Sequence, residues 1–161
     1  MVTDDLDSVE RRAWGAVVTL VMRVPSVLDS RLQREFGLTH FEYRVLALLQ
    51  DSPGHRMRLS MLAARGHGSI SRVSHVVSKL ERVGFVRRVA VTTGRGVEAA
   101  LTPSGLAKVV EATPDYLVAV RRLVLDGLDE AQKAELAVLA EKLSHHLIGM
   151  LGDSPVDKIS G

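Results

Sequence analysis

Residues 56–102 constrain the fold more tightly than any other stretch of the chain. They read RMRLSMLAARGHGSISRVSHVVSKLERVGFVRRVAVTTGRGVEAALT. Val73, Val76, Val77 and Leu80 recur at the three-and-four spacing of a helix buried on one side. Ser69 suits the N-cap of that helix, and Gly84 suits its termination. A shorter helix is expected near 59–65, with Leu59, Leu62 and Ala63 inward, and Arg65-Gly66-His67-Gly68 turns it into the longer one. Residues 85–91 and 97–101 alternate as strands do, and the Gly-containing link from Thr92 to Gly96 reads as a hairpin loop. Helix, turn, helix and β-hairpin in this order define a small lobe, spanning 38–102 once the preceding helix is included.

Charge is unevenly placed. From Gly54 to Val97 there are nine bases, Arg56, Arg58, Arg65, Arg72, Lys79, Arg82, Arg87, Arg88 and Arg95, against one acid, Glu81. The whole chain holds 21 Lys and Arg against 19 Asp and Glu, so the remainder has 12 bases against 18 acids. A basic module on an acidic scaffold is the electrostatic footprint of phosphate binding. On the longer helix, the face opposite the valines shows Ser71, Arg72, Ser74, His75, Ser78 and Lys79, side chains that can reach a nucleic-acid backbone or base edges.

The flanks read as helices. Ser8 is placed to cap a helix in which Val9, Ala13, Ala16, Val17, Leu20, Val21 and Val24 form a wide apolar stripe, widened further by Trp14, Val18 and Met22. Pro25 is expected to kink or break it, with the pattern resuming through Leu32 and Phe36 to Gly37. Thr39 and Glu42 form a capping box for the next helix, and Asp51-Ser52-Pro53-Gly54 is a turn cluster. Thr102-Pro103 opens another helix, in which Pro114 predicts a kink or a short break; Asp129 caps the last one. Leu136, Leu139, Leu143, Leu147 and Met150 give that last helix a seam suited to helix packing. Residues 1–7 are expected to be frayed, and 152–161 to form a disordered tail. A chain of 161 residues has little interior in which to hide so apolar a first helix, so a partner subunit is its natural second wall.

Composition excludes several classes. Aromatic residues make up 4%, so a core of Leu, Val, Ala and Met is expected, as in helices packed on helices. No cysteine is present, which removes disulfides and thiolate metal sites. The start MVTDDLDSVE is acidic, unlike a secretory signal. The longest apolar run, Ala13 to Met22, falls well short of the roughly 20 residues needed to span a bilayer. A cytoplasmic protein without a membrane partner is the default expectation. Ser-His neighbours occur at 74–75 and 144–145, but adjacency on a helix does not give triad geometry. Nucleophile elbow, phosphate loop and zinc-protease motifs are absent. An enzyme is therefore not expected, nor a cofactor.

The order and spacing of several motifs resemble the MarR family of bacterial regulators. They are Leu38-Thr39 with Phe41, Leu62-Ala63, Ser69-Ile70-Ser71 with Val73, Val76-Val77 and Leu80-Glu81, Gly84-Phe85-Val86-Arg87-Arg88, and Leu101-Thr102-Pro103-Ser104-Gly105. The resemblance covers most of residues 8–151. It implies a mainly α fold, α+β by virtue of a small wing: a winged helix-turn-helix lobe at 38–102 between dimerisation helices at 8–36 and 103–151. The function it implies is that of a homodimeric transcriptional regulator, a repressor, gripping a pseudo-palindromic double-stranded DNA operator and released by a small, often aromatic, ligand. One departure stands in the wing: the family carries an Asp two residues before its key Arg, and here Thr93 precedes Arg95.

On this reading the candidate DNA-binding residues are Arg58, Ser69, Ser71, Arg72, Ser74, His75, Lys79, Arg87, Arg88 and Arg95. Arg72 is the first choice for a base edge, because Arg is the commonest reader of guanine. Arg87 and Arg88 point to opposite faces of a strand, so only one should face a given groove wall. Trp14, Met22, His40, Phe41, Tyr43 and Met57 are candidates for the ligand site, since they lie on segments expected to border the two lobes. The alternative reading is a zinc-responsive DNA-binding regulator. His145 and His146 are about 100° apart on a helix and cannot easily share one ion. Glu141 lies four before His145, so a site shared between helices or subunits stays open, and no metal ligands are assigned.

Overall fold

The computed structural model describes residues 5–91 and 96–152. Arg95 and Thr93 at the hairpin tip, and residues 153–161 of the expected tail, lie outside them. The chain divides into two compact units, Met1–Ala119 and Val120–Gly161.

The first unit opens with α1 (Ser8–Phe36). Its N-cap is Asp7, not Ser8: the Asp7 carboxylate accepts from the amides of Val9 and Glu10 at 2.6 and 2.9 Å, and Glu10 returns a bond to the Asp7 amide. A carboxylate with an acid three residues on makes a reciprocal box that the serine, one place later, cannot. Pro25 does not break α1, and Pro114 does not break the later helix that holds it. A proline removes one ladder bond, and a helix continuous on both sides absorbs that loss. Next come α2 (His40–Gln50), capped by Thr39 with Glu42 as expected, and a short 3-10 turn at Pro53–His55. Strand β1 (Arg56–Arg58), which the sequence reading missed, leads into α3 (Leu59–Gly66). Then follow α4 (Ile70–Arg82), β2 (Val86–Ala90), β3 (Val97–Leu101) and α5 (Pro103–Val120).

The three strands form one antiparallel sheet in the order β1-β3-β2. Arg56 pairs with Ala100 and Val86 with Leu101. The core of the unit gathers Leu32 and Leu38, Val45, Leu46 and Leu49 of α2, Leu62 of α3, the Val73–Val77–Leu80 stripe of α4, Val86, Val109 and Ala112. At roughly 1.5–3 kcal/mol per fully buried aliphatic side chain, this stripe is the main anchor of α4.

Two close approaches fix the lobe. Between α3 and α4, His67 takes the left-handed conformation (φ +54°) and Gly68 lies against Phe41, so near that a Cβ there would stand 2.8 Å from the ring. At the base of the hairpin, the Thr102 amide donates to the Phe85 carbonyl (3.1 Å) and the Thr102 hydroxyl to that of Gly84 (2.6 Å). That draws the first turn of α5 onto the backbone, and a Cβ at Gly105 would lie 2.0 Å from the Phe85 oxygen.

The second unit holds a π-turn, Arg121–Leu125, and α6 (Glu130–Gly152). Asp129 caps α6, accepting from the Gln132 amide at 2.8 Å while the Gln132 side chain accepts from the Asp129 amide at 3.0 Å. The seam residues Leu139, Leu143, Leu147 and Met150 are exposed, as are Val9, Leu20, Val21 and Met22 on α1. Among the described residues no helix is long and apolar enough to cross a membrane.

Candidate nucleic-acid interface

Helix α4 presents its polar face outward because Val73, Val76, Val77 and Leu80 are all buried beneath it. Ser69 closes its start: the hydroxyl oxygen accepts from the Arg72 amide at 3.1 Å, which leaves the O–H as a donor. Ser69, Ser71, Arg72 and His75 are exposed, and Ser74, Ser78 and Lys79 are half-buried. The other free amides of the first turn add a partial positive charge at the same end.

The cations around this face are not equivalent. The Arg72 guanidinium rests over the Phe41 ring, 4.0 Å from its centroid, a cation–π contact that holds it beside α2. Lys79 pairs with Glu42 at 2.5 Å. Glu42 is only 3% exposed and uses its second oxygen to accept from the Thr39 amide at 2.9 Å, so one carboxylate serves both the α2 cap and the lysine. Arg88 is tied most firmly. Its side chain donates to Glu81 (2.7 Å), to the Ser78 hydroxyl (2.8 Å) and to the Ser74 carbonyl (3.1 Å), and its amide donates to Glu81 at 2.9 Å. The backbone bond from Arg88 does most to hold the Glu81 carboxyl below its usual value; desolvation opposes it, and the Arg88 side-chain bond and charge add to the lowering. Arg88 therefore staples β2 to α4, whereas its neighbour Arg87 is exposed on the opposite face. Arg58 is exposed at the N-cap position of α3. Arg56 lies 3.7 Å from Glu98. Counting charge along the sequence window misses Glu42 and Glu98, which lie outside it and neutralise two of its bases.

A groove-like cavity of about 730 Å³ opens between α1, α2 and the α3–α4 turn. Its walls include Asp29, His40, Phe41, Arg44, Arg72 and Lys79. Of the six residues singled out for a ligand site, His40 and Phe41 line it and the other four do not. Trp14 and Met22 lie on α1 at 61% and 70% exposure, while Tyr43 and Met57 are buried in the core. Tyr43 acts behind the wall: its ring packs 4.3 Å from that of Tyr116, and its hydroxyl is 3.2 Å from that of Thr113. Tyr116 in turn stacks on His40, with its hydroxyl 3.3 Å from Nε2. Burial, with Arg44 nearby, lowers the His40 pKa, and Asp29 opposes the shift. Burial likewise raises both tyrosines. The sequence reading missed Arg44, Asp29 and Tyr116. His40 and Arg44 share a helix face at i,i+4, a signal that was available; the other two arrive from α1 and α5 and leave no local trace. Among the described residues no group of three or more His, Asp or Glu comes together as a metal site.

Comparison with known proteins agrees with this geometry. The MarR family model matches residues 38–93. AbsC, a MarR family transcriptional regulator from Streptomyces coelicolor, is 34% identical, with a TM-score of 0.86 over 91% of this chain and 99% of its own. Sco3205, a MarR family regulator from the same organism solved in complex with DNA, is 32% identical, with a TM-score of 0.85 over 90% and 93%. A MarR/EmrR family regulator from Acinetobacter sp. ADP1, 19% identical with a TM-score of 0.78 over 89% and 99%, shares the fold. No curated protein matches significantly. A three-stranded wing beside a capped, outward-facing α4, together with a third of the sequence shared along nearly its whole length, places this chain in the MarR family of transcriptional regulators.

Proposed function

We propose that the protein is a homodimeric repressor that binds a pseudo-palindromic operator through α4 and the hairpin, and leaves it when a small organic ligand binds. The observation that carries this is the outward face of α4, on which Ser69, Ser71, Arg72 and His75 are exposed and the helix's one acid, Glu81, is engaged by Arg88. Sco3205, at 32% identity, was solved with DNA. In this reading α4 enters the major groove with Arg72 on a base edge. Ser71, Ser74 and His75 add base or phosphate bonds, and Ser69 with the first-turn amides holds a phosphate. Arg58, Arg87 and Arg95 neutralise further phosphates. Arg88 and Lys79 remain in the interface, with their charges shared with Glu81 and Glu42.

The exposed apolar residues of α1 and those of α6 suit a second copy of the chain as their cover, which makes 8–36 and 103–151 the dimerisation helices around the 38–102 lobe. The regulator works in the cytoplasm, where its DNA is. The cavity suits a small aromatic acid: Phe41 and His40 offer ring faces, and Arg44 and Arg72 offer cations for a carboxylate, Lys79 being paired with Glu42.

Selection of bound sequences from a random DNA pool tests the proposal. Enriched inverted repeats with half-sites one helical turn apart, about 34–36 Å, are expected; a pool that stays random overturns it. A thermal-shift screen with salicylate-like compounds tests the ligand, which a flat response across the panel would remove.

A further inference from the structure

Helix α4 continues past the core that covers it. Val73, Val77 and Leu80 are buried, and Ile70 lies in phase with them three residues earlier, yet it is 59% exposed. Isolated exposed hydrophobes are common on protein surfaces. Ile70 differs in its place: it is the first residue of α4, flanked by Ser69 and Ser71 and followed one turn later by Ser74. These neighbours are short, so they do not hold its branched side chain away from an approaching surface. Residues at the start of a recognition helix are those that meet base edges. Of the four bases, only thymine offers an apolar group in the major groove, its C5 methyl.

We propose that Ile70 is a specificity-determining residue that packs on a thymine methyl group in each half-site. The proposal rests on α4 being the helix that enters the major groove. The isoleucine gives the helix an apolar contact that its serines and arginine cannot make, and adenine, guanine or cytosine at that position would leave Ile70 against polar edges.

The test uses the full-length protein and the operator recovered by selection. Each thymine is replaced in turn by deoxyuridine, which removes only the methyl group. At one position per half-site, the replacement is expected to weaken binding about fourfold, the value of one methyl-sized group withdrawn from water, and about 16-fold when both half-sites are changed. Ile70→Ala, whose folding is checked by circular dichroism, should bind the unmodified operator more weakly and be indifferent to uracil at that position. An operator insensitive to uracil at every position overturns the proposal while leaving the DNA-binding reading intact. Uracil sensitivity undiminished in Ile70→Ala also overturns it. A pool that yields no enriched sequence overturns the parent reading instead. The uracil scan on the unaltered protein needs no variant, so a folding defect in Ile70→Ala would not remove the test.

Discussion

Replacing Gly105 by Ala should destabilise the protein by about 2–4 kcal/mol, and the magnitude follows from the base of the hairpin. The new Cβ would stand 2.0 Å from the Phe85 carbonyl oxygen, 2.8 Å from its carbon and 3.0 Å from Leu101 Cδ1. Carbon and oxygen in their closest ordinary contacts rest about 3.3–3.6 Å apart, so the first turn of α5 must retreat or the strand end must move. Either motion stretches the bonds from the Thr102 amide and hydroxyl to Phe85 and Gly84, each worth about 0.5–1.5 kcal/mol. Overpacking adds about 1–3 kcal/mol. The better helix propensity of alanine offsets at most about 1 kcal/mol. Urea unfolding followed by far-UV circular dichroism, at fixed protein concentration because assembly shifts apparent stability, measures the difference. With a slope of about 2–3 kcal/mol/M, the midpoint should fall by roughly 1 M. A variant with an unchanged or higher midpoint at the same slope would refute the contact argument.

Three further outcomes are expected. Arg72→Ala should cost about 1–3 kcal/mol on the selected operator and much less on random DNA; equal losses on both would mean that Arg72 reads no base. The His40 pKa lies below its usual 6.5 in the folded protein, chiefly from burial. The unfolded chain therefore binds the proton more readily, and stability should fall as pH drops from 6.5 towards the folded value; His40→Gln should flatten that slope in pH-resolved melts. Glu81, held low by Arg88, contributes at neutral pH, and its contribution is lost as pH falls through its depressed value, below 4.5. Glu81→Gln should speed hydrogen exchange at the Arg88 amide at neutral pH, and equal exchange in both proteins would count against the staple.

Much of the lobe was legible because local rules set it. The Ser69 and Thr39 caps, the valine stripe of α4, the paired strands and the Thr102-Pro103 start each depend on residues within a turn or two of one another. What escaped depends on distant partners. Strand β1 is three residues long and exists only because β3 offers its second edge. Met57 and Tyr43 look like ligand contacts on their segments, but the sheet and α5 bury them. Arg88 reads as one cation among nine until Glu81, seven residues earlier and across the turn, is seen to hold it. Ile70 follows the core pattern in sequence, and only the position where the core ends shows that it faces outward.

If α4 and the hairpin dock on DNA as proposed, the Arg88 staple also sets how the lobe would use it. Side-chain bonds to Ser74, Ser78 and Glu81 and an amide bond to Glu81 join β2 to α4, so strand and helix move as one body with fixed spacing. Contacts made from the two elements then fall at a set distance along the duplex, and any mismatch in groove width or twist has to be taken up by the nucleic acid. Base steps that yield easily would be favoured between those contacts even where no side chain touches them. Rigidity in the protein thus becomes a preference for pliable sequence in its target.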